Sequence, residues 1–394
     1  MISEKMKAYV AGSSAIRAMF EEGKKMAEKY GAENVYDYSL GNPSIPAPEK
    51  VKESIIEVLN EEDSLITHGY MNNSGFEDVR ETIAQSINKK QGTDFTFKNI
   101  IMTVGAAGGL NVILKTFLNP GDEVIVFVPY FGEYRSYVAN FDGKIVEVET
   151  DDQFMIDAEK LAKAVTPKTK AVIVNNPNNP TGVVYSEEVI KAMADVLVDK
   201  EKEFGTSIYL ISDEPYRELA YGVDVPYLTK YYKNTIVGYS YSKSLSLPGE
   251  RIGYLVIPSV IDDFEDVLSA ANTANRILGY VNAPSLMQKA IAKCVDEKCK
   301  VEKYRKNGEY LYDNLIKFGF SAIKPQGAFY LFLKSPVDDE KEFVSKAKEF
   351  NLLLVPGSSF GKGGYVRLAY CVSFDTVKNS MPAFEKLAKA YNLI

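Results

Sequence analysis

The sequence predicts an α/β protein built on a mostly parallel sheet, joined to a smaller α+β layer. Three observations carry this. Apolar, β-branched runs recur at 100–104, 124–128, 145–148, 171–175, 208–212, 236–239 and 253–257. Helical segments such as 106–118 and 186–204 separate several of them. Strands that are apolar throughout and alternate with helices belong to a sheet covered on both faces. After about residue 258 the character changes to long helices with one short strand pair.

Taken in order, residues 1 to about 36 read as an arm and an amphipathic helix carrying Ile16, Met19, Phe20, Met26 and Ala27, which ends near Gly31. The stretch 40–48 holds three prolines and cannot continue a helix. A helix over 49–60 follows, then a Gly- and Asn-rich connection over 68–74 and a helix over 76–88. Within the alternating region, 252–257 succeeds its predecessor after too short a gap for a helical crossover, so it is expected to run antiparallel. Helices are expected at 261–274 and 284–318, a strand pair at 328–333 and 365–370, and a last helix at 381–391. The division expected is an arm and part of a small domain over 1–45, a large domain over 46–280 and the rest of the small domain over 281–394.

A chain of 394 residues, 46% hydrophobic and 25% charged, can bury a large core. Its net charge of −7 disfavours non-specific binding to nucleic acid or anionic membranes. An anionic ligand must therefore meet a local cluster of cations. Three cysteines, Cys294, Cys299 and Cys371, form no disulfide framework and suggest reduced thiols in a cytoplasmic protein. No leader-like segment or membrane-length apolar run is read. The single histidine, His68, argues against Ser/His/Asp catalysis and His-based metal sites.

The polar candidates fall where apolar strands end, and in open α/β sheets ligands bind beyond the carboxyl ends of the strands. After the run 236–239 come Ser240, Ser242, Lys243, Pro248, Gly249, Arg251 and Gly253. Hydroxyls and a guanidinium fork suit a phosphate. A lysine beside that cation loses basicity and becomes nucleophilic. A phosphate-bearing aldehyde held by Ser240 and Arg251 and captured by Lys243 fits these residues, as a plain polar turn would. Gly105, Ala106 and Ala107 open a helix after 100–104, where backbone N–H groups can approach a phosphate, or where small residues merely pack closely. Asn179 sits in a turn fixed by Pro177, Pro180 and Gly182 and can donate to a ligand oxygen or to its own loop. Asp213 ends a buried strand and needs a cation, with Tyr216 three residues on. Arg367 lies in an apolar strand and needs an anion, a substrate carboxylate or a protein one.

The spacing S-x-S-K-x-x-x-x-P-G-x-R-x-G over 240–253 resembles the cofactor attachment motif of the class I, aspartate aminotransferase-like, pyridoxal-phosphate enzymes. The N-P-T-G run at 179–182, the D-x-x-Y spacing of Asp213 and Tyr216, and the segments 325–330 and 355–360 resemble the same group, so the likeness spans roughly 10–390. It implies fold type I, with a seven-stranded sheet in the large domain and a small domain made from both chain ends. It implies pyridoxal 5'-phosphate attached at Lys243, with its phosphate held by Gly105, Ala106, Ala107, Ser240, Ser242 and Arg251. Alanines stand where hydroxyl or lysine side chains are frequent. Phe131, with Tyr130 as competitor, would stack on the ring, Asp213 would pair with its nitrogen, and Asn179 and Tyr216 would bond its phenolic oxygen. Gly41, Asn179 and Arg367 would share the substrate carboxylate. A homodimer is implied, with Tyr70 reaching the partner's cofactor phosphate.

The resemblance implies ping-pong transamination between an L-amino acid and a 2-oxo acid such as 2-oxoglutarate, with Lys243 moving the Cα proton. Substrate identity is left open: Arg276 or Arg17 could read a second carboxylate, which leans toward aspartate, whereas Tyr130 and Tyr280 would favour aromatic donors. A C–S β-lyase or decarboxylase on the same fold is the nearer alternative, and a non-catalytic cofactor-binding regulator the more distant one.

Overall fold

The computed structural model describes residues 2–11, 15–61 and 63–394, with the side chains of 8, 11, 15–18 and 20 also outside the description. The side chains of Ile16, Arg17 and Phe20 therefore lie outside the described set. Seven strands form the central sheet: β1 (Ile100–Thr103), β2 (Glu123–Val128), β3 (Lys144–Glu149), β4 (Thr169–Asn175), β5 (Tyr209–Asp213), β6 (Thr235–Ser240) and β7 (Gly253–Val256). Their order is β1-β7-β6-β5-β4-β2-β3. β7 runs antiparallel to both neighbours, and the pairs from β6 across to β3 are parallel. Six consecutive buried residues in β6 and four in β7 explain why these runs read as apolar throughout. The edge strand β3 is the exception, with one buried residue, Val148.

A second, four-stranded sheet pairs β8 (Tyr330–Lys334) with β9 (Tyr365–Ala369) antiparallel, flanked by Ser321–Ala322 and Val355–Pro356. The N-terminal segment is stitched into this layer. Tyr36 and Asp37 pair with Leu352 and Leu353, and the Tyr38 hydroxyl meets that of Ser380 at 2.7 Å. Met19, Val35, Tyr38 and Ile45 share one core with residues such as Phe329, Phe343, Leu368 and Phe384. Both chain ends thus build the small domain.

Two helices depart from expectation. The helix expected over 284–318 is two, Ser285–Ala292 and Glu302–Lys317. Nothing between them is a strong breaker. The backbone leaves the helix because the Cys299 N–H bonds the Ser244 carbonyl at 2.9 Å, docking this segment on the strand end that carries Lys243. Met287, Ile291 and Cys294 pack with Val51, Val79 and Ile83, whereas Cys299 joins the core of Phe329 and Leu368. The last helix, expected over 381–391, spans Phe374–Ala390, capped by the Ser373 hydroxyl, and carries Pro382 inside it.

Candidate active site

The carboxyl ends of β4, β5 and β6 lie side by side, with Asn175 opposite Asp213 and Asp213 opposite Gly238. A cavity of about 260 Å³ opens there. Its wall includes Gly41, Ala106, Ala107, Phe131, Asn179, Asp213, Tyr216, Ser240, Ser242, Lys243, Arg251 and Arg367, so one space collects residues spread over more than 300 positions.

Lys243 stands on the single helical turn Tyr241–Ser244, begun by Ser240, whose hydroxyl accepts the Ser242 N–H at 3.1 Å. Its Nζ donates to the Gly41 carbonyl at 2.7 Å and lies 5.5 Å from the centre of the Phe329 ring. Burial brings its pKa down to about 8, helped by the guanidinium groups of Arg367 and Arg251 and opposed by Cys371. An amine with that pKa is protonated below pH 8 and nucleophilic above it. An amine-selective acylating reagent should therefore modify Lys243 of the cofactor-free protein at a rate that levels off above about 8. Exposed lysines should keep accelerating towards about 10.4. Peptide mapping after timed labelling decides this; a Lys243 profile like that of the exposed lysines would count against it.

Asp213 is buried, and its Oδ2 accepts the Tyr134 hydroxyl at 2.5 Å. Its Oδ1 is buried with no partner. Burial pushes the carboxyl up to about 7, with the Tyr134 bond pulling the other way. An orphaned carboxylate oxygen at a cavity wall is a place for a ligand cation, because a lone buried charge is costly. The protonated ring nitrogen of pyridoxal phosphate matches that need.

The opposite charge waits at Arg367, 2% exposed. Its Nη2 donates to the Ser39 carbonyl at 2.5 Å and its Nη1 to Asn179 Oδ1 at 3.3 Å, while Nε is buried without a partner. Tyr330 and Phe360 hold its carbon 4.7 Å from each ring centre. Among the described residues no carboxylate pairs with it, which removes the protein salt bridge that the sequence left open. Gly41 is close by. A Cβ there would lie 2.2 Å from the Tyr330 hydroxyl, so only glycine lets the loop approach.

At a third corner, Gly105 starts the helix Gly105–Phe117 with φ +76°, and a Cβ on it would sit 2.7 Å from Arg251 Nη2. The first-turn N–H groups of a helix lack intrahelical acceptors, and a guanidinium beside them makes an anion site. Arg251 is held there by the carbonyls of Pro248 at 2.8 Å and Val104 at 3.3 Å. Ser240 and Ser242 share a hydroxyl bond of 2.7 Å at the same corner. The residues present thus fit pyridoxal phosphate: an anion site for its phosphate, an orphan carboxylate for its ring nitrogen, and a deprotonatable lysine for its aldehyde.

Phe131 lines the cavity, whereas Tyr130 is turned away, its hydroxyl bonded to Glu147. The Tyr216 hydroxyl meets that of Tyr330 at 2.9 Å. Two expected residues do not join the cavity of their own chain. Tyr70 is 94% exposed in its loop. Arg276 is exposed on the last turn of the helix Phe264–Ile277, whose other face packs Val267, Ala271 and Ala274 into the core. Tyr280 is half-buried and likewise off the cavity wall. The sequence reading missed Tyr134, Tyr137 and Tyr330. For the first two a signal existed: Tyr134 and Tyr137 stand three apart, at helical spacing, just after the strand end at Val128.

Comparison with known proteins decides the family. The family model "Aminotransferase class I and II" matches residues 32–383. The chain belongs to the class I and II aminotransferases. Over 362 residues it is 32% identical to the aspartate/prephenate aminotransferase of Thermus thermophilus, covering 89% of this chain and 90% of that one. It is also 32% identical over 395 residues to an aromatic-amino-acid aminotransferase of Thermococcus litoralis, covering 97% of each. The crystal structure of an amino transferase from Eubacterium rectale superimposes with a TM-score of 0.97 at 46% identity, over all of both chains. This aminotransferase is therefore an enzyme of amino-acid metabolism, and its family implies pyridoxal phosphate. Among the described residues no helix is long and apolar enough to cross a membrane.

Proposed function

We propose that this aminotransferase holds pyridoxal 5'-phosphate at Lys243 and moves an amino group from an L-amino acid to a 2-oxo acid such as 2-oxoglutarate, by alternating half-reactions. The observation that carries the reading is one cavity whose wall holds an unpartnered carboxylate oxygen on Asp213, the Arg367 guanidinium with no carboxylate partner among the described residues, and the Lys243 amine of lowered basicity. When bound, the cofactor supplies an aldehyde for the substrate amine and a cationic ring that withdraws electrons from Cα. Gly105, Ala106, Ala107, Ser240, Ser242 and Arg251 would hold its phosphate, Asp213 its ring nitrogen, Asn179 and Tyr216 its phenolic oxygen, and Phe131 its face. Arg367 orients the substrate carboxylate through a bidentate pair, with Asn179 and Gly41 at its side. The Lys243 amine, unprotonated, would serve as the general base that takes the Cα proton of the substrate. Tyr216 and Tyr330, both buried, exclude water from that side.

The cavity's own cations, Lys243, Arg251 and Arg367, are all assigned, and Leu40, Leu110, Phe131 and Tyr137 complete an apolar and aromatic wall. That wall supports a neutral or aromatic donor. A specific observation favours the dicarboxylate reading as well. Asn282 Nδ2 bonds the Asn72 carbonyl at 2.8 Å, Asn275 Nδ2 the Asn73 carbonyl at 3.1 Å, and the Ser74 hydroxyl Asn272 at 2.6 Å. The Tyr70 loop and the segment bearing Arg276 are one bonded unit. In a homodimer that carries Tyr70 to the partner's site, Arg276 travels with it. The free, buried state of Cys294, Cys299 and Cys371 supports a reducing, cytoplasmic compartment.

A panel of amino donors against 2-oxoglutarate, with ammonia and pyruvate also assayed, tests the function. Glutamate formation without free ammonia is expected. Ammonia and pyruvate formed without an acceptor would make the protein a lyase. If Arg276 reads a second carboxylate, Arg276→Ala should raise KM for aspartate about tenfold or more, a factor of ten corresponding to about 1.4 kcal/mol, and leave KM for phenylalanine unchanged. Equal KM changes for both donors would remove Arg276 from that role.

A further inference from the structure

Asp213 has two oxygens in different circumstances, and the difference has one cause. Oδ2 is taken by the Tyr134 hydroxyl at 2.5 Å, and Oδ1 is left without a partner. Tyr134 is 1% exposed and Asp213 5%, so the bond between them is shielded from solvent. The ring of Tyr134 is locked in place: Phe131 meets it edge-on at 5.6 Å and Tyr130 stacks on it at 6.3 Å. The backbone carbonyl of Asp213 is held separately by Asn175 Nδ2 at 2.9 Å, and its N-terminal neighbours by the parallel ladder. The side-chain torsion of Asp213 is thus set by the tyrosine.

We infer that Tyr134 is a positioning residue for the cofactor: by donating to Oδ2 it fixes the Asp213 carboxylate so that Oδ1 alone is presented to the ring nitrogen. The inference rests on the proposed cofactor and adds a residue from outside the cavity wall to its recognition. The direction of donation follows from chemistry. A carboxylate only accepts, and burial together with the adjacent Asp213 charge holds the Tyr134 proton on its oxygen. The other groups facing this pair do not substitute for it. Glu214 is turned to Arg217 and to the Ser212 hydroxyl, and Tyr216 to Tyr330. Tyr137 faces the cavity from the next turn of the same helix, and no bond from it to Asp213 is formed. Without the Tyr134 donor, Asp213 would have two unsatisfied oxygens, free torsion and a greater tendency to take up a proton, and each weakens its pairing with a cationic nitrogen.

The test uses the holoenzyme, Tyr134→Phe, Asp213→Asn and the double variant, with Tyr232→Phe as a control that loses a comparable buried bond, 2.7 Å to the Ile208 carbonyl. Two readouts are independent of turnover: the dissociation constant for pyridoxal phosphate, and the 15N chemical shift of its labelled ring nitrogen from pH 6 to 9. In the wild type and Tyr232→Phe the shift should stay at the protonated value throughout. In Tyr134→Phe it should titrate within that range, with cofactor binding weakened at least fivefold. Because Tyr134 acts through Asp213, adding Tyr134→Phe to Asp213→Asn should change neither readout further. A Tyr134→Phe protein with a dissociation constant within twofold of wild type and an unchanged 15N profile would overturn the inference, as would additive effects in the double variant. A measurement on the unaltered protein covers a variant that does not fold: the Tyr134 hydroxyl proton should resonate downfield of the amides, and its absence would also overturn the pairing. A wild type that fails to bind pyridoxal phosphate at all would instead remove the proposed function itself, and the inference with it.

Discussion

Lys243→Ala is expected to abolish turnover while leaving a folded protein that still takes up pyridoxal phosphate. The amine is the one base at the cavity wall with a pKa near neutrality on the basic side, at about 8. General acid–base catalysis by a positioned group is worth roughly 10²–10⁴-fold, and here the upper end applies because the same amine also anchors the cofactor. No other group can take over the proton transfer. Tyr216 and Tyr330 are both held well on the basic side of the ordinary tyrosine value by burial, and Asp213 is the proposed partner of the ring nitrogen. The phosphate corner at Gly105, Ser240 and Arg251 and the Asp213 carboxylate remain, so binding persists without attachment. Replacing a largely desolvated amine by a methyl group also removes a buried charge, and the apoprotein should not lose thermal stability. Turnover within tenfold of wild type would take Lys243 out of its role.

Asp213→Asn should give the second largest loss, and with an opposite effect on the empty protein. The amide keeps the shape and still accepts the Tyr134 hydroxyl, but it carries no charge to hold a cationic ring nitrogen. Removing one preorganised electrostatic partner at a water-excluded site costs roughly 10²–10³ in kcat. In the cofactor-free protein, however, the carboxylate is itself a burden: burial pushes it up to about 7 and one oxygen has no partner. Asp213→Asn should therefore melt no lower than wild type without cofactor, and gain less than wild type when pyridoxal phosphate is added. Paired melting curves with and without cofactor, alongside kcat, check both halves. Equal stabilisation of the two proteins by cofactor would mean that Asp213 does not read the ring.

The sheet was legible because its strands, the edge strand β3 apart, are apolar on both faces, which leaves a continuous run where an antiparallel, half-solvated strand would alternate. Its one antiparallel member announced itself through the short gap before Gly253. The site was legible for a related reason. Asn179, Asp213, Tyr216 and Lys243 stand at or within a few residues of strand ends, and Arg251 just before the strand that opens at Gly253, where polar residues are conspicuous against an apolar background and their spacings resemble one family. What stayed hidden depends on contacts distant in sequence. The break at 293–301 is made by the bond between Cys299 and Ser244, and no local propensity records a partner 55 positions away. Tyr330 lies in a strand where a tyrosine reads as core, and only the antiparallel pairing of β8 with β9 brings it beside Arg367. Tyr134 has its partner, Asp213, 79 positions on, a separation no local pattern records. Arg276 is exposed on the outer face of its helix, a position that sequence spacing does not reveal.

The central claim is that one lysine, Lys243, carries the cofactor opposite Asp213. Borohydride reduction of the protein loaded with pyridoxal phosphate, followed by digestion and peptide mass spectrometry, tests it most directly. The account predicts one modified site, on the peptide containing Lys243, with the modification absent in Lys243→Ala. A reduced pyridoxyl group on any other lysine of the wild type at comparable yield, or none at all, would contradict it.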